Sequence, residues 1–350
     1  MYGDLMADSL VSLVIPITRY EKELHEALDS VFSQTYKNFE IILVDNHATE
    51  GSRIIAEDWQ AKNPDRIRVI REEIKGACSA RNRGIQESHG EFIAFLDSDD
   101  RMLRDRLMLQ HQKISSDKSL VLVGSWFNEI SPDGKNLISK DNKPQIPRWW
   151  SILFKNNRFY QSRPFYEPQT STFFFRASVA REIGMFDKRL DPFWLEDTDF
   201  VFRMFQAGNV EIIPRSLVEY RTHTFEDNLR RIFDIDLIKN HDVFFNILKE
   251  KFNHRVGGVP KKNFLLLKSR WLRESGVKLL YYKNGEVLGK ELIRKSFRLN
   301  PLDPKNLETV VRISLPKAFY PRPFGVSPHM ELPLPEYATL EWAQGLFSFD

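Results

Sequence analysis

Glu91-Phe92-Ile93-Ala94-Phe95-Leu96-Asp97-Ser98-Asp99-Asp100 joins a short, continuous apolar run to three carboxylates. The run Phe92 to Leu96 suits a central strand of a mostly parallel sheet covered on both faces. Ligands of open α/β sheets bind at the carboxyl ends of the strands, so Asp97 and Asp99 are placed where a ligand belongs. Carboxylates crowded at one strand end repel one another unless a cation joins them, and hard oxygen ligands suit Mg2+ or Mn2+ beside a phosphate. Asp and Ser also begin turns, and Asp100 has the chemistry to cap the segment that follows. The stretch by itself leaves both readings open.

Upstream, Val11-Ser12-Leu13-Val14-Ile15-Pro16 is a β-rich run stopped by proline. A helix is expected from Tyr20 or Glu21, with Leu24, Ala27, Leu28, Val31 and Phe32 on one face. Phe39 to Val44 reads as a second buried strand ending in Asp45, Ile54 to Lys62 as a helix, and Ile67 to Ile70 as a third strand. This alternation predicts right-handed crossovers and a parallel sheet. Asp45 stands where a carboxylate meets a ribose or base, although an Asx turn in Asp45-Asn46-His47 is an equally simple use of it. Gly76 to Gly84 opens a helix with small residues and brings Arg81 and Arg83 close to its start, suited to a diphosphate or an acid. Neither G-x-G-x-x-G after the first strand nor G-x-x-x-x-G-K is present, which removes the main support for dinucleotide oxidoreduction and P-loop hydrolysis.

Five blocks, 11–16, 30–36, 40–45, 80–85 and 96–100, together resemble the family 2 glycosyltransferases in order and spacing. The resemblance implies an α/β fold of the GT-A type: a mostly parallel nucleotide-binding sheet flanked by helices, followed here by a helical appendage. It also implies a divalent cation, Mn2+ or Mg2+, and inversion at the transferred sugar. Residue by residue, it implies that Asp45 contacts the base or ribose and that Arg81 helps hold the nucleotide. Asp97 and Asp99 form the D-x-D metal motif, and Pro16, Thr18, Asp97 and Ser98 line the donor site. One departure is that Asp45 is followed by Asn46-His47-Ala48 where the family often reads Asp-Gly-Ser.

Further on, Leu103 to Ile114 reads as a helix, Leu120 to Phe127 as a strand and Ser131-Pro132-Asp133-Gly134 as a hairpin turn. The segment Ser139 to Gln169 is aromatic and basic and is expected on the acceptor side, its rings either stacking on sugars or filling the core. Thr172 to Arg176 reads as a strand, and Ala177 to Ile183 as a helix ended by Gly184. In Phe193 to Arg203, acids occupy the first turn of a helix, where its dipole favours them. The resemblance makes Asp197 the base that activates the acceptor hydroxyl and Glu196 its positioning neighbour. It also brings His223, after Tyr220-Arg221, toward the metal.

These expectations divide the chain into a catalytic domain, 1–225, with a donor half of about 10–127 and an acceptor half of about 128–225. A helical region, 226–320, and a Pro-rich irregular tail, 321–350, follow. Basic residues around Lys261 to Arg273 and Lys290 to Arg298 either meet anionic lipid, as a peripheral contact at the cytoplasmic membrane face, or form solvated helix faces.

At 350 residues, 42% of them hydrophobic, the chain can bury a sizeable core, and a formal net charge of +3 gives no footprint for nucleic acid. A lone cysteine, Cys78, excludes an intrachain disulfide and fits a reducing, cytoplasmic setting; nothing near it marks a base. The expected reaction moves a sugar from a nucleoside diphosphate, with a UDP-sugar as the expected donor, to a hydroxyl of a glycan or lipid-linked acceptor. Two rivals are a sugar-nucleotide pyrophosphorylase and a non-catalytic glycan-binding protein. The first lacks its glycine-rich loop at Pro16-Ile17-Thr18-Arg19, and the second has no need of Asp97, Asp99 and Asp197.

Overall fold

The computed structural model describes residues 9–153, 166, 168–191, 195–223, 236–252, 261–315, 320–321 and 332–333. The chain divides into two compact units, one of residues 1–146 and 165–228 and the other of 147–164 and 229–350.

In the first unit, β1 (Val11–Ile17), β2 (Phe39–Asp45), β3 (Ile67–Arg71) and β4 (Phe92–Phe95) pair in parallel in the order β3-β2-β1-β4. Both faces of β1 and β4 are covered, which is why these strands read as unbroken apolar runs. Helices α1 (Glu21–Phe32), α2 (Glu50–Lys62) and α3 (Ala77–Glu87) supply the crossovers. Leu24, Ala27, Leu28 and Val31 of α1 are fully buried, as the helical spacing requires. The close seat of α3 needs Gly84, because a Cβ there would fall 2.2 Å from Val14 Cγ1.

Beyond β4 the sheet becomes mixed. β8 (Phe174–Arg176) runs antiparallel to both β4 and β6 (Leu120–Ile130), while β9 (Asn209–Arg221) is parallel to β6. On its other side β9 pairs antiparallel with β5 (Arg101–Met102), and β7 (Leu137–Asn142) closes the hairpin on β6. Strands β1 to β4 are therefore parallel to one another, and β6 and β9 join them through one short antiparallel strand, β8. After β5 comes α4 (Arg106–Ser116). Its Arg106 is fully buried and donates to Phe95 O and Phe173 O, holding the end of β4 against the segment before β8. Burial pushes this guanidinium down to about 9 against the opposing pull of Asp100.

In the second unit, α5 (Arg148–Leu153) packs on a helix at Lys261–Leu279, and Leu153 O accepts from Asn263 Nδ2. Trp150 and Leu153 are buried there. This part of the aromatic segment, expected on the acceptor side, serves the core of the second unit. Phe154, Phe159, Tyr160, Phe165, Phe193, Trp194 and nearly all of the tail lie outside the described residues. Helices at Asp236–Phe252, Glu286–Leu299 and Pro304–Ile313 complete the unit. Several basic residues there are committed internally: Arg273 to Asp303 and Asn306, Arg270 to Glu274 and Lys290 to Glu286. Among the described residues no helix is long and apolar enough to cross a membrane.

Candidate active site

The carboxyl ends of β1, β2 and β4 meet at one edge of the first unit's sheet. At β2, Asp45 Oδ1 accepts from the Ala48 N–H at 2.9 Å, forming the Asx turn, and Oδ2 pairs with Arg53 Nε at 3.0 Å. Asn46, the departure from the family pattern, has a structural task. It donates to Glu72 O and Ile74 O and accepts from the Gly76 N–H, fastening the chain that leads into α3. His47 takes a left-handed backbone with φ 58°, which a Gly at this position would adopt without cost. Pro16 lies within β1; Thr18 follows it, exposed, and its carbonyl accepts from the Thr49 N–H.

Arg81, on α3, is the hub of the site and is nine-tenths buried. Its Nη2 donates to Asp97 Oδ1 at 3.1 Å and its Nη1 to Glu196 Oε1 at 3.0 Å. One guanidinium thus joins the acid at the end of β4 to the acids that open α7 (Glu196–Ala207), the helix after α6 (Ala177–Glu182). Burial works against its charge, yet Asp97 and Glu196 outweigh that and hold it protonated. Its Nε and the Glu196 Oε2 have no partner among the described residues. Buried polar groups are nearly always paired, so these two atoms mark a place for a ligand.

Position is enforced from beneath by aromatic packing. Phe200, one turn into α7, stacks on Phe186 at 4.3 Å, and Phe95, from β4, touches Phe186 at 5.7 Å. Arg81 lies over the same Phe186 ring. Leu195, just before the acid pair, has φ 70°, a left-handed conformation that costs a branched side chain about 1–2 kcal/mol. The turn Thr170–Thr172 touches both halves: Ser171 Oγ accepts from the Asp97 N–H at 3.0 Å, and Thr170 Oγ1 donates to Asp197 Oδ2 at 3.4 Å.

Burial, then the Asp197 charge, pushes Glu196 up to about 7, with Arg81 opposing. Burial also pushes Asp197 up, with the Thr198 N–H and Arg81 opposing. Asp100 is driven well above the carboxylate range by burial and by its neighbours Asp99 and Asp97. The sheet edge is thus overloaded with negative charge, the condition under which a cation binds.

Asp99 faces the segment that follows β9. Its Oδ2 lies 3.7 Å from His223 Nε2, so both atoms can reach one ion. Among the described residues no group of three or more His, Cys, Asp or Glu side chains is arranged to hold a metal by itself. Asp99 and His223 therefore fit a cation that takes its remaining oxygens from substrate and water, as Mg2+ and Mn2+ do beside a diphosphate. Ser98 is buried between the two acids of the motif.

The long-range polar contacts escaped sequence reasoning. Asp191 caps α3 from far along the chain, its carboxylate accepting from the N–H groups of Cys78 and Ser79 and from Ser79 Oγ. That cap fills the helix start that the small residues seemed to keep open for an anion. Burial, with Glu196 and Asp191 adding to it, raises the Cys78 thiol far out of the nucleophilic range.

The family profile "Glycosyl transferase family 2" matches residues 12–184, which span β1 through the helix that follows β8. Residues 12–184 belong to the family 2 glycosyltransferases. It is 36% identical over 126 residues to glycosyltransferase GlyG of Streptococcus pneumoniae serotype 4, covering 36% of this chain and 42% of that protein. It is 26% identical over 316 residues to the Bacillus subtilis glycosyltransferase EpsJ, covering 85% of this chain and 89% of EpsJ. Among solved structures, S. aureus TarS 1–349 in complex with UDP-GlcNAc superimposes with a TM-score of 0.57 at 16% identity, covering 86% of this chain and 84% of that one. This last likeness establishes a shared glycosyltransferase fold and no more.

Proposed function

We propose that this glycosyltransferase moves one sugar, with inversion, from a UDP-sugar to a hydroxyl of a glycan or lipid-linked acceptor, assisted by Mn2+ or Mg2+. The observation that carries the reading is the Arg81 bridge between Asp97 and Glu196, beside Asp197. It fixes the donor-side acids and the candidate base in one frame, as a direct displacement between two bound substrates requires.

In this reading Asp99 and His223 hold the cation, and a cation bound there offsets the charge developing on the departing diphosphate. Arg81 uses its unpaired Nε–H toward the donor and keeps Glu196 in place. Asp197 Oδ2, which accepts the long Thr170 contact, takes the proton of the acceptor hydroxyl. The hydroxyl oxygen forms its bond to the anomeric carbon opposite the breaking bond to the diphosphate, so the configuration inverts. A base of raised pKa is suited to this, since proton uptake is efficient when the catalytic pKa approaches the working pH.

The test is Asp197→Asn, which keeps the size of the side chain and removes the proton acceptor. A panel of UDP-sugars, UDP-GlcNAc included, is assayed with Mn2+ for UDP release. Turnover should fall by about a hundredfold to ten-thousandfold, while donor affinity and melting temperature stay near wild type. Near-normal turnover in the folded variant would remove Asp197 from the mechanism.

A further inference from the structure

Arg221 ends β9 and is almost fully buried, at 4% exposure. An arginine in such a place must spend its donors on acceptors, and its contacts tie the Asp99–Asp100 loop to the turn after β6 and to α1. Its backbone N–H donates to Asp100 Oδ1 at 2.8 Å and its Nε donates to Asp99 O at 2.7 Å. Its Nη1 donates to Pro132 O at 3.1 Å, and its Nη2 to Glu26 Oε2 on α1 at 2.6 Å.

The surrounding elements reinforce this tie. The loop bearing Asp97 and Asp99 runs straight into β5, whose Arg101 and Met102 pair with Glu219 and Val218 of β9, and Arg101 Nε also meets Glu219 Oε2 at 2.8 Å. On the other side, Ile130 of β6 is in register with Arg221. The turn after β6 needs Gly134: its φ is +71°, and a Cβ there would fall 2.4 Å from Arg221 Nη1. Two residues past Arg221 the chain delivers His223 to Asp99.

We infer that Arg221 is a positioning residue for divalent-cation binding. It holds the carbonyl of Asp99 and the strand that carries His223 in one fixed relation, so that the two side chains reach the same ion. The inference rests on the cation reading of Asp99 and His223 above. Arg221 acts through these contacts: it sets the distance between two side chains that lie far apart in the sequence. Losing such a supporting contact characteristically weakens metal affinity by about ten- to a hundredfold.

The experiment titrates Mn2+ alone into the full-length chain, reading free Mn2+ by electron paramagnetic resonance, with the melting temperature in EDTA measured on each sample. Arg221→Gln, Arg221→Lys and Glu26→Leu are compared with Asp99→Asn. Arg221→Gln should weaken Mn2+ about tenfold or more, and Arg221→Lys nearly as much, because an ammonium cannot reproduce the guanidinium fork. Glu26→Leu, which leaves Arg221 in place and removes its outer anchor, should weaken Mn2+ by roughly threefold or more and carries the test if the Arg221 variants do not fold. A merely structural role would lower the melting temperature in EDTA and leave Mn2+ affinity of the folded protein unchanged. If Asp99→Asn loses Mn2+ while folded Arg221→Gln, or Glu26→Leu in its stead, binds it like wild type, the positioning role is overturned and the cation reading stands. If Asp99→Asn also binds Mn2+ like wild type, the cation reading falls and the inference falls with it.

Discussion

Replacing Glu196 by Gln tests the electrostatics of the site through both stability and rate. Glu196 sits at about 7 in the folded chain against an ordinary 4.5. Between those values the native protein keeps a proton that the unfolded chain releases, so stability falls as pH rises across that window. At 1.36 kcal/mol per pH unit the full loss is about 3 kcal/mol, complete once the pH passes the folded value. Gln cannot ionise, keeps an oxygen for Arg81 Nη1, and abolishes this slope. The variant should match wild type near pH 4.5 and exceed it at pH 8, by up to about 3 kcal/mol. Chemical denaturation at a series of pH values measures this directly.

The rate carries a second signature. In the proposed mechanism the acid limb of the pH–rate profile reports protonation of Asp197, whose carboxylate is raised by burial. Glu196 is raised because Asp197 is already charged, so it is neutral at the pH where Asp197 takes its proton, and Glu196→Gln should leave the limb in place. A stability difference between Glu196→Gln and wild type that does not change from pH 4.5 to 8, or an acid limb displaced in either direction, would refute this account of the pair.

Asp191→Ala should cost about 1–2 kcal/mol, seen as a melting temperature lower by several degrees, because it strips the cap from α3. Asp191→Asn, which retains one acceptor, should lose about half as much. Cys78 should resist iodoacetamide at pH 8 in the native state and react only on unfolding, because the thiol is buried and held protonated.

The sequence disclosed most where a local rule operates. Doubly covered parallel strands must be apolar throughout and can be polar only at their ends, so β1, β2 and β4 announce themselves and point at Asp45 and Asp97. The first-turn acids of α7 announce the acid pair in the same way. β9 is harder to read because Pro214 and Arg215 interrupt it. In the structure the register with β6 shifts there, from Ser125 opposite Ile213 to Trp126 opposite Ser216. The proline is carried in a bulge, so a continuous thirteen-residue strand looks broken in sequence. Contacts such as Asp191 with α3, Asn46 with Gly76 and Arg221 with Asp99 leave no periodic trace, because each joins residues far apart in the chain. The Ser139 to Gln169 stretch is ambiguous for a related reason. Burial of Trp150 satisfies an aromatic pattern whichever unit provides the core, and sequence does not say which.

The site's charge balance leads to a final prediction. Asp97, Asp99, Asp100, Glu196 and Asp197 crowd one sheet edge, and the guanidiniums nearest them are Arg81, Arg106 and Arg221, the last shared with Glu26. The deficit shows in the carboxyls themselves: Asp100, Glu196 and Asp197 all hold protons more tightly than exposed acids do. A divalent cation arriving at Asp99 and His223 supplies the missing positive charge and lowers the proton affinity of the acids around it. Mn2+ binding should therefore expel protons at pH 6, where part of the cluster is protonated, and fewer at pH 8.5, where it has already ionised. By linkage, Mn2+ affinity should rise with pH over the same interval. Calorimetric titration of Mn2+ in two buffers of different ionisation enthalpy, at each pH, counts the protons. Binding at pH 6 with no proton release would mean that the cation does not sense these carboxylates, and the charge argument for placing it there would fail.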